Sequence, residues 1–289
     1  MSNRYKGGII SATPPTTTGG ESGVASGSWT LEQQLQAQGA GNWPSQPLPP
    51  FIEDVFSTYL YTGNGSTQTI TNGIDLSGKG GLVWIKSRSN AKSNSLFDTA
   101  RGAYQWLTSN GTNASTNFSP NSLTAFNSNG FSLLDDATST YAVNGTNYTY
   151  ASWTFRKQPK FFDVVTWSGD GTASRQISHS LGSVPGCIIV KRTTAANNWA
   201  TYHRSLGNTQ RVSLNLTNAA STDTLWNDTD PTSTYFTVDG SPNVNSSGQS
   251  YVAYLFAHNA GGFGLTGTDN VISCGSYSVD AVQTHSSHS

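Results

Sequence analysis

The sequence is poor in charge. Asp, Glu, Lys and Arg make up only 11% of its 289 residues, against about 25% in an ordinary globular protein. A net charge of −1 offers no electrostatic pull on nucleic acid or on an anionic membrane surface. Long apolar runs are missing too. None approaches the roughly 18 residues that span a bilayer, and no hydrophobic signal core follows Met1. A soluble chain made without a cleaved leader is expected, with neither nucleic acid nor membrane insertion.

Glutamate is nearly absent, since Glu21, Glu32 and Glu53 all stand near the start of the chain. Glycoside hydrolysis ordinarily needs two carboxylates flanking the scissile bond. Only aspartates remain for that work, Asp135 beside Asp136 and Asp228 near Asp230, in turn-rich segments where carboxylates are ordinarily solvated. Asp228 and Asp230 lack the further oxygen ligands of a recognisable calcium loop. The histidines are scattered, with His285 and His288 in the tail, and no pair has a third metal ligand at useful spacing. The glycine-rich segments lack the lysine and helix start of a phosphate loop. No catalytic group, metal site or cofactor is therefore expected. Two cysteines, Cys187 and Cys274, make no disulfide framework. Cys187 lies in an apolar run and reads as a buried small hydrophobe, with a bond to Cys274 as the alternative.

Glycine, serine, threonine and asparagine take the place of charge, which suits short strands joined by many turns. Glycosylation-type triplets at Asn110, Asn144 and Asn227 follow from that composition and carry no argument of their own.

Two stretches stand out, Gly81–Arg88 (GLVWIKSR) and Gly186–Arg192 (GCIIVKR). Each is a run of large, often β-branched residues entered from glycine and left through basic residues, the pattern of a buried strand. Landmarks around them recur in order. Tyr61–Gly65 corresponds to Trp167–Gly171 (167−61 = 106), and Gly81 to Gly186 (186−81 = 105). Phe131–Leu133 corresponds to Phe236–Val238 (236−131 = 105), and Tyr150–Phe155 to Tyr251–Phe256 (251−150 = 101). Nearly constant spacing over four landmarks means an internal duplication.

The expected fold is mainly β: two tandem jelly-roll or lectin-like β-sandwich repeats, separate or fused into one larger sandwich. The repeats are expected at 54–158 and 159–260. Within the first, the polar stretch from Thr108 to Ser119 reads as a surface loop. Residues 261–289 hold a partial third copy, Asn270–Tyr277, and a polar tail. A lone strand has nowhere to bury its apolar side, so this one is expected to pair with the second copy or with another subunit.

Residues 1–53 form an extended arm, too rich in Ser, Thr, Gly and Pro to fold alone. Thr30 with Gln33 is a capping-box signal, Leu31 and Leu35 share a helical face, and Gly39 ends the short helix. Two isolated turns of helix are unstable in water. Trp29, Leu31, Leu35 and Trp43 thus need a surface to pack on, the chain's own body or a partner, and are the expected partner-binding residues of the arm.

The aromatic residues Tyr104, Trp106, Trp199, Tyr202 and Trp226 are candidates for stacking on a glycan. The alternative is that they fill the sandwich or an intersubunit contact. Arg101 and Arg204 occupy similar places in the two copies, which favours a structural role for both.

The block Leu96–Gly102 (LFDTARG) after the core strand resembles a repeat of tailed-phage virion proteins, marine ones especially. The segments Trp167–Gly171, Ser180–Gly186 and Asn270–Gly275 are similar to parts of the same repeats. The stretch Ser28–Gln34, with Gly41–Pro44 after it, resembles the head of phage fibre and decoration proteins. The resemblance implies a lectin- or laminin-G-like β-sandwich in a structural protein of a virion, a fibre, knob or decoration. Its partners would be other virion proteins of the capsid or tail, reached through residues 1–53, and further copies of itself. A host-surface glycan is the alternative partner, and the unfinished third copy departs from longer relatives.

Overall fold

The computed structural model describes residues 49–134 and 143–278, together with Glu32 and Leu35 of the arm. The chain divides into two units, Met1–Pro49 and Pro50–Ser289, four residues ahead of the expected boundary at 53 (53−49 = 4). Glu32 and Leu35 are helical and exposed. Trp29, Leu31 and Trp43, the other partner-binding residues expected of the arm, lie outside the described residues, as do Asp135 and Asp136.

The body opens on a 3-10 turn, Ile52–Asp54. The first half then runs β1 Phe56–Thr62, β2 Gln68–Thr71, β3 Gly81–Ser87, β4 Ser95–Asp98, β5 Gln105–Trp106, β6 Thr116–Asn117, β7 Ser122–Asn127, β8 Gly130–Leu134 and β9 Thr149–Arg156. The second half runs β10 Phe162–Ser168, β11 Arg175–Ser178, β12 Cys187–Arg192, β13 Ala200–His203, β14 Gln210–Ser213, β15 Ser221–Thr222, β16 Tyr235–Val238 and β17 Ser250–Phe256. The fold is mainly β.

Strand order repeats the duplication. The larger sheets read β1-β9-β3-β4 and β10-β17-β12-β13-β14-β15, and the smaller ones β2-β8-β7 and β11-β16. The register repeats with it. Tyr61 pairs with Tyr150 as Trp167 pairs with Tyr251, and Ile70 pairs with Phe131 as Ile177 pairs with Phe236. A slip of one residue would turn every core side chain outward, so matching register preserves the core pattern of both halves.

Successive side chains on a strand point to opposite faces, and the central strands of the larger sheets use both faces. Val83, Ile85 and Tyr150 meet Ile70, Phe131 and Leu133 of the smaller sheet in one core. Ile188, Val190 and Tyr251 meet Ile177, Phe236 and Val238 in its counterpart. Between them lies a third core. Val55, Leu82, Leu96 and Leu107 from the first half pack on Val164, Ile189, Val252, Tyr254 and Trp199 from the second. Each such side chain stabilises the body by about 1.5–3 kcal/mol when fully buried. Burial on both sides is why β3, β12 and β17 read as unbroken apolar runs.

Both halves tie the loop after their first strand with a buried asparagine. Asn144 Nδ2 donates to Ser66 O at 2.6 Å and to Asn64 Oδ1 at 3.0 Å. Asn245 Nδ2 donates to Thr172 O at 2.9 Å and to Asp170 Oδ1 at 2.8 Å. Only glycine fits beneath these loops, since a Cβ on Gly63 would lie 2.3 Å from Gly145 O, and one on Gly169 2.1 Å from Ser246 O. Asn144 belongs to one of the glycosylation-type triplets, but its amide is buried and fully used.

Two local expectations are corrected. Asn270–Tyr277 forms no strand. Val271 and Ile272 pack on the shared core, Ile272 O accepts from Asn259 N at 3.0 Å, and His258 Nδ1 accepts from Cys274 N at 2.9 Å. Its apolar side is thus covered by packing alone. The stretch after Trp106 is not simply a surface loop either, because Thr108 and Ser109 are buried and β6 lies within it.

Candidate functional site

The glycan-stacking candidates are mostly core. Trp106, Trp199 and Tyr202 are buried, as is Trp226, so no sugar reaches their faces. Each indole N–H also has an internal acceptor: Trp106 Nε1 donates to Ser95 Oγ at 2.9 Å, Trp199 Nε1 to Thr108 O at 2.9 Å, and Trp226 Nε1 to Gln210 O at 3.2 Å. Tyr202 packs edge-on against Trp226. Tyr104 is half-buried, at a positive φ of 66° where the chain turns into β5. Local alternation could mark these residues as half-buried. It could not show that a second sheet, about a hundred residues away in sequence, closes over Trp199.

The arginine comparison changes as well. Register places Asp98 opposite Leu82 and His203 opposite Cys187, so His203 is the counterpart of Asp98 (203−98 = 105). Arg101 then corresponds to Leu206 rather than to Arg204, whose side chain is exposed. The expected structural role holds for Arg101. Its Nε donates to Asp98 Oδ2 at 2.6 Å, its NH1 to Ser115 Oγ at 3.1 Å, and its NH2 to Leu96 O at 3.3 Å and to Tyr254 OH at 3.4 Å. Tyr254 OH itself donates to Asp98 Oδ2 at 2.8 Å, so the network crosses from the first half to the second.

Its electrostatics follow from burial. Desolvation alone would lower the Arg101 pKa, but the Asp98 carboxylate and Tyr254 outweigh it and the net shift is upward. Burial, then the Asp98 charge, push the Tyr254 phenol well above its ordinary value. Lys191 lies on the same side of the second sheet, fully buried, 6.0 Å from the Trp199 ring centre. Its Nζ donates to Thr112 O at 3.1 Å and to Arg192 O at 2.8 Å. Among the described residues it has no carboxylate within salt-bridge distance. Burial first, and then the charges of Arg192 and Arg101, push its ammonium down to about 8.

At the end of this seam a groove of about 730 Å³ opens between the halves. Arg101, Gln105 and Ser115 form the wall from the first half; Thr166, Ser168, Thr193 and Ser250 form the wall from the second. A volume in this range suits a small ligand or one or two sugar rings. The lining holds hydroxyls, an amide and one guanidinium, and no carboxylate. A smaller pocket of about 300 Å³ lies against the first half's larger sheet, lined by Trp84, Asn94, Trp153 and Phe155.

Elsewhere the polar groups serve the fold. Asp163 Oδ1 accepts from Lys157 Nζ at 2.9 Å, and Asp230 Oδ1 from Asn208 Nδ2 at 2.9 Å. Cys187 and Cys274 are both free thiols, so the disulfide alternative does not hold. Burial, then the neighbouring Cys274, push the Cys187 thiol up to about 12, which leaves it protonated and unreactive at neutral pH. Among the described residues, no group of three or more His, Cys, Asp or Glu is arranged to hold a metal. No helix among them is long and apolar enough to cross a membrane.

Residues 52–271 match the family model described as a domain of unknown function, DUF7483. The chain belongs to that family. The matched span begins at the 3-10 turn and takes in both halves, so the family's unit is the body with its shared core, not one repeat. The arm before Ile52 lies outside it. No curated protein and no solved structure matches the chain.

Proposed function

We propose that this chain is a non-enzymatic structural component of a tailed-phage particle, a fibre, knob or decoration, with residues 1–53 as its attachment arm. The observation that carries this reading is the division of the chain at Pro49. On one side lies a β body knit together by a core that both halves share; on the other, an arm of Ser, Thr, Gly and Pro with a few large apolar residues. Side chains such as Trp29, Leu31, Leu35 and Trp43 gain burial only against a partner, and that gain must exceed the entropy of ordering the arm. Other virion proteins and further copies of the chain are the partners this implies. Solvent-facing apolar side chains of the body, Leu60 at 58% exposure and Leu265 at 76%, suit contacts with neighbours in an assembly. The fold-serving roles of Asp98 and Asp163 support a body without hydrolytic work.

The test is incorporation. Deleting residues 1–50 is expected to abolish entry into particles while the truncated chain remains folded, judged by an unchanged urea midpoint of the body. Normal incorporation of the truncated chain overturns the proposal. A second reading, a glycan-binding adhesin, is favoured by the hydroxyl-lined groove at the seam rather than by the buried aromatics.

A further inference from the structure

The seam is over-supplied with positive charge. Arg101 reaches Tyr254 of the second half and Lys191 reaches Thr112 of the first, Asp98 pairs with Arg101 and not with Lys191, and the Arg101 side chain is only 7% exposed. Arg101 has five N–H donors, of which four are engaged by Asp98, Ser115, Leu96 and Tyr254. Asp98 is already satisfied by Arg101 and Tyr254. Lys191 is neutralised by no carboxylate among the described residues, although buried charges are ordinarily paired. An unbalanced buried cation beside an open groove favours an anion there, because the low dielectric of the seam strengthens the attraction. The rest of the lining includes Gln105, Thr166, Ser168 and Ser250, an amide and hydroxyls of the kind that hydrogen-bond a polyhydroxylated ligand. Carboxylates on the lining, which would repel such a ligand, are absent.

We propose that the groove between the halves binds an acidic saccharide, its carboxylate drawn to Arg101 and its hydroxyls to the threonine and serine wall of the second half. This deepens the adhesin reading by naming a ligand class. It rests on the isolated chain alone, so it stands or falls separately from the arm's role in assembly.

The full chain is titrated by calorimetry with trigalacturonate and sialyllactose, each against its neutral counterpart, maltotriose or lactose, and with inorganic phosphate as a simple anion. The expected result is that at least one acidic sugar binds at least about 10-fold more tightly than its neutral counterpart and than phosphate. Such selectivity corresponds to about one favourable charge contact. Thr166→Glu places a negative charge on the exposed side of the groove and is expected to weaken that binding by about 10-fold or more. Ser168→Glu, on the same wall, is the second variant should the first fail to fold, with the urea midpoint as the check on folding. No binding of either acidic sugar up to about 10 mM, a concentration at which even very weak sites fill, overturns the proposal. Equal affinity for the neutral sugars or for phosphate overturns it as well, as does unchanged binding in both glutamate variants.

Discussion

The same row of residues meets opposite fates in the two halves. In the second half Val164, Tyr254 and Ile189 lie side by side across β10, β17 and β12, and all three are buried in the shared core. Register places Thr58, Trp153 and Trp84 in the equivalent row of the first half. There Thr58 is exposed, the two tryptophans are half-buried, and they line a small pocket with Asn94. The two sheets therefore meet off-centre. The first half contributes Val55, Leu82, Leu96 and Leu107, while of its own middle row Trp84 packs only at the margin of that core. Duplication repeats a fold without repeating its surroundings, and the differences between the copies lie where one half covers the other.

Truncation along this row is the strongest way to test that asymmetry. Tyr254→Ala is expected to cost about 3–5 kcal/mol, since it removes a fully buried ring and one partner of Asp98. Trp153→Ala, in the equivalent place, should cost no more than about 2 kcal/mol because that ring already meets solvent. Urea unfolding of the two variants beside the parent protein gives the comparison. Equal losses would mean that the first row is covered in solution, and the off-centre packing would be wrong.

Asp98 and His203 form a second contrast between equivalent positions. Removing one partner of a buried ion pair strands the other, so Asp98→Ala is expected to cost about 3 kcal/mol. His203 is half-buried, and its Nδ1 accepts from Ser205 N at 3.2 Å. His203→Ala should cost about 0.5 kcal/mol or less, the usual range for such sites. The measurement is again the urea midpoint. A small loss for Asp98→Ala would show that the seam network contributes little to holding the halves together.

Much of the fold is legible in the sequence, and for a definite reason. GLVWIKS and CIIVKR are apolar on both faces, glycines mark their entries, and four landmarks recur at nearly fixed spacing. Those features are local or depend only on the repeat. What the sequence leaves hidden depends on contact between the halves. From the sequence Trp199 could stack on a glycan or fill the sandwich, and its burial, with Thr108 and Gly111 of the other half accepting its N–H, decides for the core. Spacing alone aligned Arg204 with Arg101, whereas the ladder shows His203 opposite Cys187 and shifts the match. Asn270–Tyr277 keeps the residues of an opening strand but joins no ladder; Val271 and Ile272 pack on the shared core, and Asn259, Gly261 and His258 hydrogen-bond the segment. The groove at the seam could not be read at all, because its two walls come from different copies.

The smallest effect concerns the buried cation. Lys191 is buried where its counterpart in the first half, Lys86, is only half-buried and donates to Lys92 O. With its ammonium lowered from 10.5 to about 8 in the folded state, Lys191 binds fewer protons folded than unfolded across that interval. Stability therefore rises with pH there, and the cost of holding the charge is greatest below pH 8. The Cys187 thiol acts in the opposite sense. Raised from 9.0 to about 12, it stays protonated in the fold while the unfolded chain ionises, so its own contribution falls as pH approaches and passes 9. The useful window is pH 8 to 9, and the expected net gain across it is about 0.6 kcal/mol, the thiol offsetting part of the lysine's gain. Urea midpoints at the two ends of that window should show the rise in the parent protein and none in Lys191→Met. A parent protein equally stable at pH 8 and 9 would mean that Lys191 already has a counter-charge at the seam, and the excess positive charge argued for the groove would go with it.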